Sequence, residues 1–361
     1  MARTFVIGLL ASILAGLITA GVWILDGASP GHAVTVGLAT FLAGSVLPLL
    51  AADHMPGTMA VRRLRRAGIH LTRAELGTAA RLDTAVLDKD GTVTTGALQV
   101  ISVDPLDPSD DQNLRWFAGA LTHAADDRVA RAVARLATRG KLADVEVVAG
   151  HGVRGSVDRH PVRVGEPHWV GLDAAAPVGH CVGVEVDGRP LGSITVGDAI
   201  RGDAARSVTE LRTLGVEPVL ASTDTASNTR HVGDAVGITR FLGFSDPAMM
   251  ATEIAELDRA GGTVAYVGPA TAPGPGGAAH LSISTTDSTA SVTMDDLDIA
   301  KLPILITLAR RAGKRRRTAL VAAAVGALVL AVAAGIDLLP VPLASAATVT
   351  WTLLIGGYTA A

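Results

Sequence analysis

Seven consecutive residues, Asp88-Lys89-Asp90-Gly91-Thr92-Val93-Thr94, put carboxylates, an ammonium and hydroxyls into one short stretch of chain. The apolar run Thr84 to Leu87 leads straight into them. Such a run reads as a short buried strand, and open α/β sheets present their chemistry at the carboxyl ends of strands. Asp88 would then stand at a sheet edge. Gly91 would let the backbone turn tightly, and Thr92 and Thr94 would offer hydroxyls to a phosphate. A carboxylate held in this way can attack phosphorus and form an aspartyl-phosphate. An ordinary Asp-Gly turn after a strand is spelled the same way, so the rest of the chain must decide.

A second polar turn, Ser222-Thr223-Asp224-Thr225, follows the apolar stretch Val216 to Leu220. Gly197-Asp198-Ala199-Ile200-Arg201 is expected to open the preceding helix, which runs through Leu214 and closes at Gly215. Another helix and strand are expected at Ala248–Ala260 and Thr263–Val267. This alternation predicts a parallel sheet covered by helices. Between the two polar turns, Leu114–Thr138 has helical spacing of Trp116, Ala120, Val129, Val133 and Leu136. Val145–Gly192 reads as short strands with Gly and Pro turns. That segment contains Gly150-His151-Gly152-Val153-Arg154-Gly155, formally a GxGxxG string. No long helix and no closing acidic residue follow, so a dinucleotide fingerprint is excluded. Gly150, Gly152 and the later Gly165 read locally as turn glycines.

The elements that carry these segments must themselves be anchored in a membrane. The chain has 361 residues, is 49% hydrophobic, and has a mean hydropathy of +0.40. Its apolar runs are Thr4–Leu25, Ala33–Ala52, Thr318–Ile336 and Val341–Gly357, each near the ~20 residues that cross a bilayer as a helix. A signal peptide at Thr4–Ala20 is the alternative for the first. Arg62, Arg63, Arg65 and Arg66 follow the second run, and Lys314 to Arg317 precede the third. Both clusters are expected on the cytoplasmic side, with both termini there as well. His54–Ala80 reads as a basic helical stalk. The net charge of −3 argues against nucleic-acid partners. The single Cys181 excludes an internal disulfide and a cysteine-rich metal cluster.

The string DKDGTVT resembles the DKTGTLT phosphorylation motif of the heavy-metal, copper/cation-transporting P-type ATPases, members of the haloacid-dehalogenase-like superfamily. Asp90 stands where those pumps carry threonine. Asp-x-Asp-Gly-Thr also resembles the phosphatases of the superfamily, in which the second aspartate is a general acid/base. The turn at Ser222 and Asp224 resembles the Thr-Gly-Asp-Asn phosphate-site motif. The resemblance runs from about residue 33 to the end and corresponds to the carboxyl-terminal half of such a pump.

The resemblance implies a membrane protein with four transmembrane helices plus a cytoplasmic α/β part. That part would be a haloacid-dehalogenase-like, Rossmannoid parallel-sheet P-domain with an inserted α+β nucleotide-binding-like domain. The expected divisions are a membrane hairpin at 1–53, stalk and first P-domain part at 54–96, and the insert at 97–191. The second P-domain part follows at 192–300, then stalk and second hairpin at 301–361. The implied catalytic residues are Asp88, Asp90, Thr92, Ser222 and Asp224. Asp88 and Asp90 would also hold a cation, and Gly150, Gly152 and Gly165 would lie against nucleotide.

Several positions depart from the pumps' pattern. Asp126-Asp127-Arg128 replaces a Ser-Glu-His-Pro motif, Met250 replaces a lysine, and Pro269 and Pro273 replace two Mg²⁺-associated aspartates. Ser45-Val46-Leu47 stands where Cys-Pro-Cys is expected, with Pro48 beside it. The last span offers the hydroxyls of Thr348, Thr350 and Thr352, and each is expected to bond its own helix backbone. No actuator domain with its Thr-Gly-Glu loop is expected in these residues. The expectation is a cation-transporting P-type ATPase homologue unable to pump on its own and serving as a non-catalytic partner or regulator. Mg²⁺ and ATP binding would be weak or absent, and its partners would be membrane lipid and another membrane protein or ATPase subunit, in the plasma membrane. A slow phosphatase using Asp88 and Asp90 is the alternative.

Overall fold

The structure is a computed structural model that describes residues 2–174, 179–224, 226–242, 247–269, 275–285 and 290–360. It divides into two units. One comprises Met1–Leu82, Ser291–Asp295 and Pro303–Ala361, the other Asp83–Ala290 and Asp296–Leu302.

In the first unit α1 (Ala2–Leu25) and α2 (Pro30–Ala43) form an apolar hairpin. Ser29 caps α2 by accepting the His32 N–H at 3.3 Å, and Pro30 occupies the first turn, where its missing N–H costs nothing. Gly16 and Gly37 let the two backbones touch: a Cβ on either would lie 2.8 Å from the other's carbonyl oxygen. The second apolar run, expected as one segment, breaks after Ala43. Helix α3 (Leu47–Arg66) restarts there with Pro48 in its first turn. It then continues through the basic stretch. The stalk expected from His54 to Ala80 is therefore interrupted, by the short strand β1 (Ile69–His70) and then α4 (Arg73–Ala79). Thr72 and Glu75 form a capping box on α4.

The second unit contains two sheets. Strand β2 (Thr84–Asp88) leads through the Asp88 turn into β3 (Thr94–Pro105). Helices α5 (Asp111–Thr122) and α6 (Arg128–Val133) follow. They replace the single helix expected over 114–138, because the Asp127 carboxylate caps a new start by accepting the N–H groups of Val129 and Ala130 at 2.9 and 2.8 Å. Next come β4 (Leu142–Val148), β5 (Gly152–Val157), β6 (His160–Gly165), β7 (His180–Val186) and β8 (Arg189–Ile200). With β3 they form a six-stranded antiparallel sheet in the order β3-β8-β7-β6-β5-β4. Leu114, Leu121, Val157, Val184 and Ile194 are fully buried in the core between this sheet and α5.

The chain then enters the parallel sheet through α7 (Ala204–Thr213), β9 (Glu217–Ala221), α8 (Ala226–Val236), β10 (Phe241–Leu242), α9 (Pro247–Arg259), β11 (Val264–Val267) and β12 (Leu281–Ser284). Gly197 to Ile200, expected to open a helix, instead end strand β8, and α7 starts only at Ala204. The strands run parallel in the order β12-β11-β2-β9-β10, so β2 lies at the centre. Val86 and Leu87 are fully buried within it.

The remaining elements return to the first unit: β13 (Val292–Met294), which pairs antiparallel with β1, then α10 (Lys301–Gly335) and α11 (Val341–Ala360). Four helical segments, Phe5–Leu25, Pro30–Arg66, Lys301–Gly335 and Val341–Ala360, are long and apolar enough to cross a membrane.

Candidate active site

The central strand β2 delivers Asp88 to the carboxyl edge of the parallel sheet, in register with Ala221 on β9. The chain then turns sharply. Asp90 is extended (φ −79°, ψ 120°) and Gly91 adopts φ +76°, a conformation open to glycine. The turn is pinned from several sides. Arg201 donates its N–H to the Val93 carbonyl at 3.1 Å and its Nη2 to the Gly91 carbonyl at 3.2 Å. The buried Thr94 hydroxyl lies 2.6 Å from Asp198 Oδ2 and 2.9 Å from the Lys89 carbonyl, and accepts the Gly91 N–H at 3.3 Å. Thr94 therefore holds the loop together instead of offering a free hydroxyl. Thr92 is the reverse case. It is fully buried, and its Oγ1 has no hydrogen-bond partner among the described residues.

Burial, and then the negative charge of Asp90, push the Asp88 carboxyl up to about 7, while Lys89 pulls the other way. The side chain of Lys89 is only 7% exposed and is held between two carboxylates. It is hydrogen-bonded to Asp224 and stands 3.2 Å from Asp90 Oδ1. Burial alone would lower its pKa, but the Asp224 bond and the Asp90 charge outweigh it and hold Lys89 above its usual value. Asp224 also accepts Asn228 Nδ2, at 3.2 Å to each oxygen, and its backbone N–H donates to the buried Ser222 hydroxyl at 3.0 Å. Of the residues read as catalytic from sequence, Asp90 and Asp224 are thus joined through Lys89, and Ser222 shapes the turn that carries Asp224.

Sequence reading overlooked Lys89, Asn228, Asp198 and Tyr266. Lys89 could have been found, since it sits inside the motif between two carboxylates. Tyr266 lies on β11 opposite Val86, one register position before the sheet edge. A Cβ on Gly268 would lie 2.5 Å from its hydroxyl and 2.7 Å from Asp88 Cβ, so glycine is what lets phenol and carboxylate flank that point. Burial, and then the charge on Asp88, raise the Tyr266 pKa.

Mg²⁺ beside the nucleophile would need several oxygen donors. Among the described residues no three His, Cys, Asp or Glu side chains gather anywhere. Asp90 turns its carboxylate to Lys89, and Pro269 has no side-chain donor. Pro273 lies outside the described residues. As they stand, these residues do not fit a magnesium cage. Met250, where the resemblance implies a lysine, is 2% exposed and packs with Val86, Val219, Ile254, Val264 and Tyr266.

The glycines flank a separate cavity of about 460 Å³ bordered by Thr122, Asp127, His151, Glu166 and Val182. Gly152 (φ +150°) and Gly165 face each other across β5 and β6. A Cβ on Gly165 would come 2.0 Å from the His151 carbonyl oxygen, so the close approach of the two backbones requires glycine. Gly150 (φ +79°) opens onto free space. His151 stacks on Trp169 and lies 3.3 Å from Glu166. Arg128 does not reach this cavity. It donates to the Gly96 carbonyl at 3.0 Å and borders a second cavity of about 460 Å³, together with Lys89, Asp90, Asp198, Asp224 and His231. His180 borders both cavities.

In the apolar helices, Thr348 bonds the carbonyls of Ala344 and Leu42 at 2.9 and 3.1 Å. Thr350 and Thr352 bond those of Ala346 and Thr348 at 2.9 and 2.8 Å. Each hydroxyl satisfies its own helix backbone, as expected, and Thr348 also reaches the backbone of α2.

A family profile described as haloacid dehalogenase-like hydrolase matches residues 82–272. The copper-exporting P-type ATPase of Mycobacterium tuberculosis (strain H37Rv) is 31% identical over 323 residues, 82% of this chain and 42% of that protein. The chain belongs to the heavy-metal P-type ATPases, within the haloacid dehalogenase-like hydrolases. Cation-transporting P-type ATPase B of Mycobacterium leprae is 32% identical over 279 residues, 73% of this chain and 37% of its own length. A crystal structure of a zinc-transporting PIB-type ATPase in the E2.Pi state shares the fold. Its TM-score is 0.79 at 22% identity, covering 98% of this chain and 62% of that one. This P-type ATPase chain therefore spans less than half the length of those curated relatives. Its four helices long and apolar enough to cross a membrane and its α/β unit match the fold of that structure.

Proposed function

We propose that this chain is a membrane-bound homologue of cation-transporting P-type ATPases that does not complete a pump cycle alone and acts as a non-catalytic partner or regulator. The observation that carries this reading is Met250, which lies in the apolar core where the resemblance implies a lysine that neutralises the phosphoryl group. Phosphoryl transfer depends on positioning and on cations that meet the developing charge. Losing one such donor costs roughly 10²–10³ in rate. Lys89 is no substitute, because its ammonium is already shared by Asp224 and Asp90. Mg²⁺ and ATP then bind weakly or not at all, although the glycine-floored cavity keeps room for a nucleotide base.

The partners in this reading are membrane lipid and another membrane protein or ATPase subunit. In this reading the protein sits in the plasma membrane, and the basic clusters around residues 62–66 and 314–317 support an orientation with the large insert and both termini cytoplasmic.

The test is phosphoenzyme trapping with labelled ATP and Mg²⁺ on the purified full chain, beside Asp88→Asn. The expected result is no acid-stable label in either. Label present in the native chain and absent from Asp88→Asn would overturn the reading. Hydrolysis of a small phosphoester that disappears in both Asp88→Asn and Asp90→Asn would replace it with the phosphatase reading.

A further inference from the structure

A cavity of about 520 Å³ opens between α3, α4 and α10, and its charged lining is largely guanidinium. Arg73, Arg81, Arg316 and Arg317 border it, with Asp53 and His54. Its depth in the first unit can be read from sequence. On α3, Asp53 is the first charged residue after the apolar stretch that ends at Ala52. On α10, Arg317 is the last before the apolar stretch that begins at Thr318. An ion pair joins these two points, with Arg316 Nε and Nη2 at 2.8 and 2.5 Å from Asp53 Oδ1. The cavity thus lies where membrane-crossing helix gives way to polar chain, the level of phospholipid head groups.

The charges around it do not cancel. Arg316 neutralises Asp53. Arg73 donates to the Asp53 carbonyl at 2.8 Å and to His54 Nδ1, two neutral acceptors. The side chains of Arg81 and Arg317 are exposed and make no ion pair or hydrogen bond among the described residues. Arg73, Arg81 and Arg317 therefore leave uncompensated positive charge around one concavity. Glycine provides the space. A Cβ on Gly57 would meet Arg73 Nε at 2.9 Å, while Gly77 and Gly313 face nothing within 4 Å. Guanidinium forks match phosphate oxygens, and basic pockets between helices at the membrane boundary suit anionic head groups.

We propose that this cavity is an anion site that takes a phosphate group, carried by a phospholipid head group or free in solution. The probes are dioctanoyl phosphatidylglycerol, dioctanoyl phosphatidylcholine, and inorganic phosphate set against chloride at equal ionic strength. Binding to the full chain in neutral detergent is measured by native mass spectrometry and by the shift in melting midpoint. The variants are Arg81→Gln with Arg317→Gln, and the control Arg62→Gln with Arg65→Gln, which removes the same charge from α3 outside the cavity. Since the side chains of Arg81 and Arg317 hold no internal bond, the ligand-free midpoint of that variant should equal the native one. Its affinity for the anion should fall about tenfold, with the control unchanged. Gly313→Leu fills the cavity with every charge kept, and should weaken binding as well.

Phosphatidylglycerol binding without phosphate binding assigns a lipid head group, and comparable binding of both assigns a free anion. The proposal is overturned if phosphatidylglycerol shows no preference over phosphatidylcholine and phosphate does not bind. It is also overturned if the control weakens binding as much as the cavity variant, or if Gly313→Leu leaves binding intact.

Discussion

The ammonium of Lys89 and the carboxylate of Asp224 form an ion pair across the carboxyl edge of the parallel sheet, joining the turn after β2 to the turn after β9. Lys89 is almost wholly buried, so this pair was made at the expense of two hydrated charges. Removing only the carboxylate, which strands the more deeply buried ammonium, is then worse than removing both. Asp224→Ala should destabilise the chain by about 2 kcal/mol, because Lys89 keeps only the half-exposed Asp90. Lys89→Met should cost less, since an apolar side chain fills the same space without stranding a buried charge. The double variant should melt above Asp224→Ala alone. Thermal midpoints of the four proteins in one detergent decide this, and a double variant below both singles would refute it.

Asp88 sets a pH dependence. Its ordinary value is 3.8 and the folded chain raises it to about 7. Between those values the folded state keeps a proton that the unfolded state has lost, so stability falls as pH rises from about 4 to about 7. Above that the cost of the buried charge is fully present, at most about 4 kcal/mol. Asp88→Asn, neutral at every pH, should therefore raise the melting midpoint at pH 8 and have little effect near pH 4. Equal stabilisation at both pH values would show that packing, not charge, is responsible.

Thr92 separates stability from chemistry. Its hydroxyl is buried without a partner among the described residues, which costs about 1–3 kcal/mol relative to a satisfied or absent group. Thr92→Val should therefore raise the melting midpoint. If the hydroxyl faces the place a phosphoryl group would take, the same change should remove any stabilisation given by orthovanadate or beryllium fluoride. A lower midpoint in Thr92→Val would mean that the hydroxyl is satisfied in solution.

The parallel sheet could be read from the sequence because its signals are local. Thr84–Leu87 and Val264–Val267 are apolar runs ending in glycine-bearing turns, and each forms a strand. The sites of error depended on partners distant in sequence. Gly197–Arg201 looks like a helix start, yet β3 pairs along its length and draws it into a strand, with Asp198 bonding Thr94. Asp127-Arg128 looks like charge directed into the glycine-floored cavity. In the fold Asp127 is spent as a helix cap and Arg128 reaches away to Gly96. The role of Lys89 depends on Asp224, far along the chain, which the fold brings against it.

Met250 gives the sharpest test of whether the site lacks a cation by construction. Helix α9 turns its side chain inward, where it is 2% exposed and surrounded by Val86, Val219, Ile254, Val264 and Tyr266. Restoring the lysine that the resemblance implies would put an ammonium stem into that apolar cluster. Burying such a charge without a partner costs several kcal/mol, or forces the amine to lose its proton. Met250→Lys should therefore lower stability by about 3 kcal/mol or more and yield no phosphoenzyme, while the volume-conserving Met250→Leu should change it by less than about 1.5 kcal/mol. Melting midpoints and trapping with labelled ATP are measured on the same preparations. A lysine variant as stable as the native chain would mean that α9 can rotate this position outward. One that also became labelled at Asp88 would show that a single missing cation, rather than the whole site, had silenced the chain.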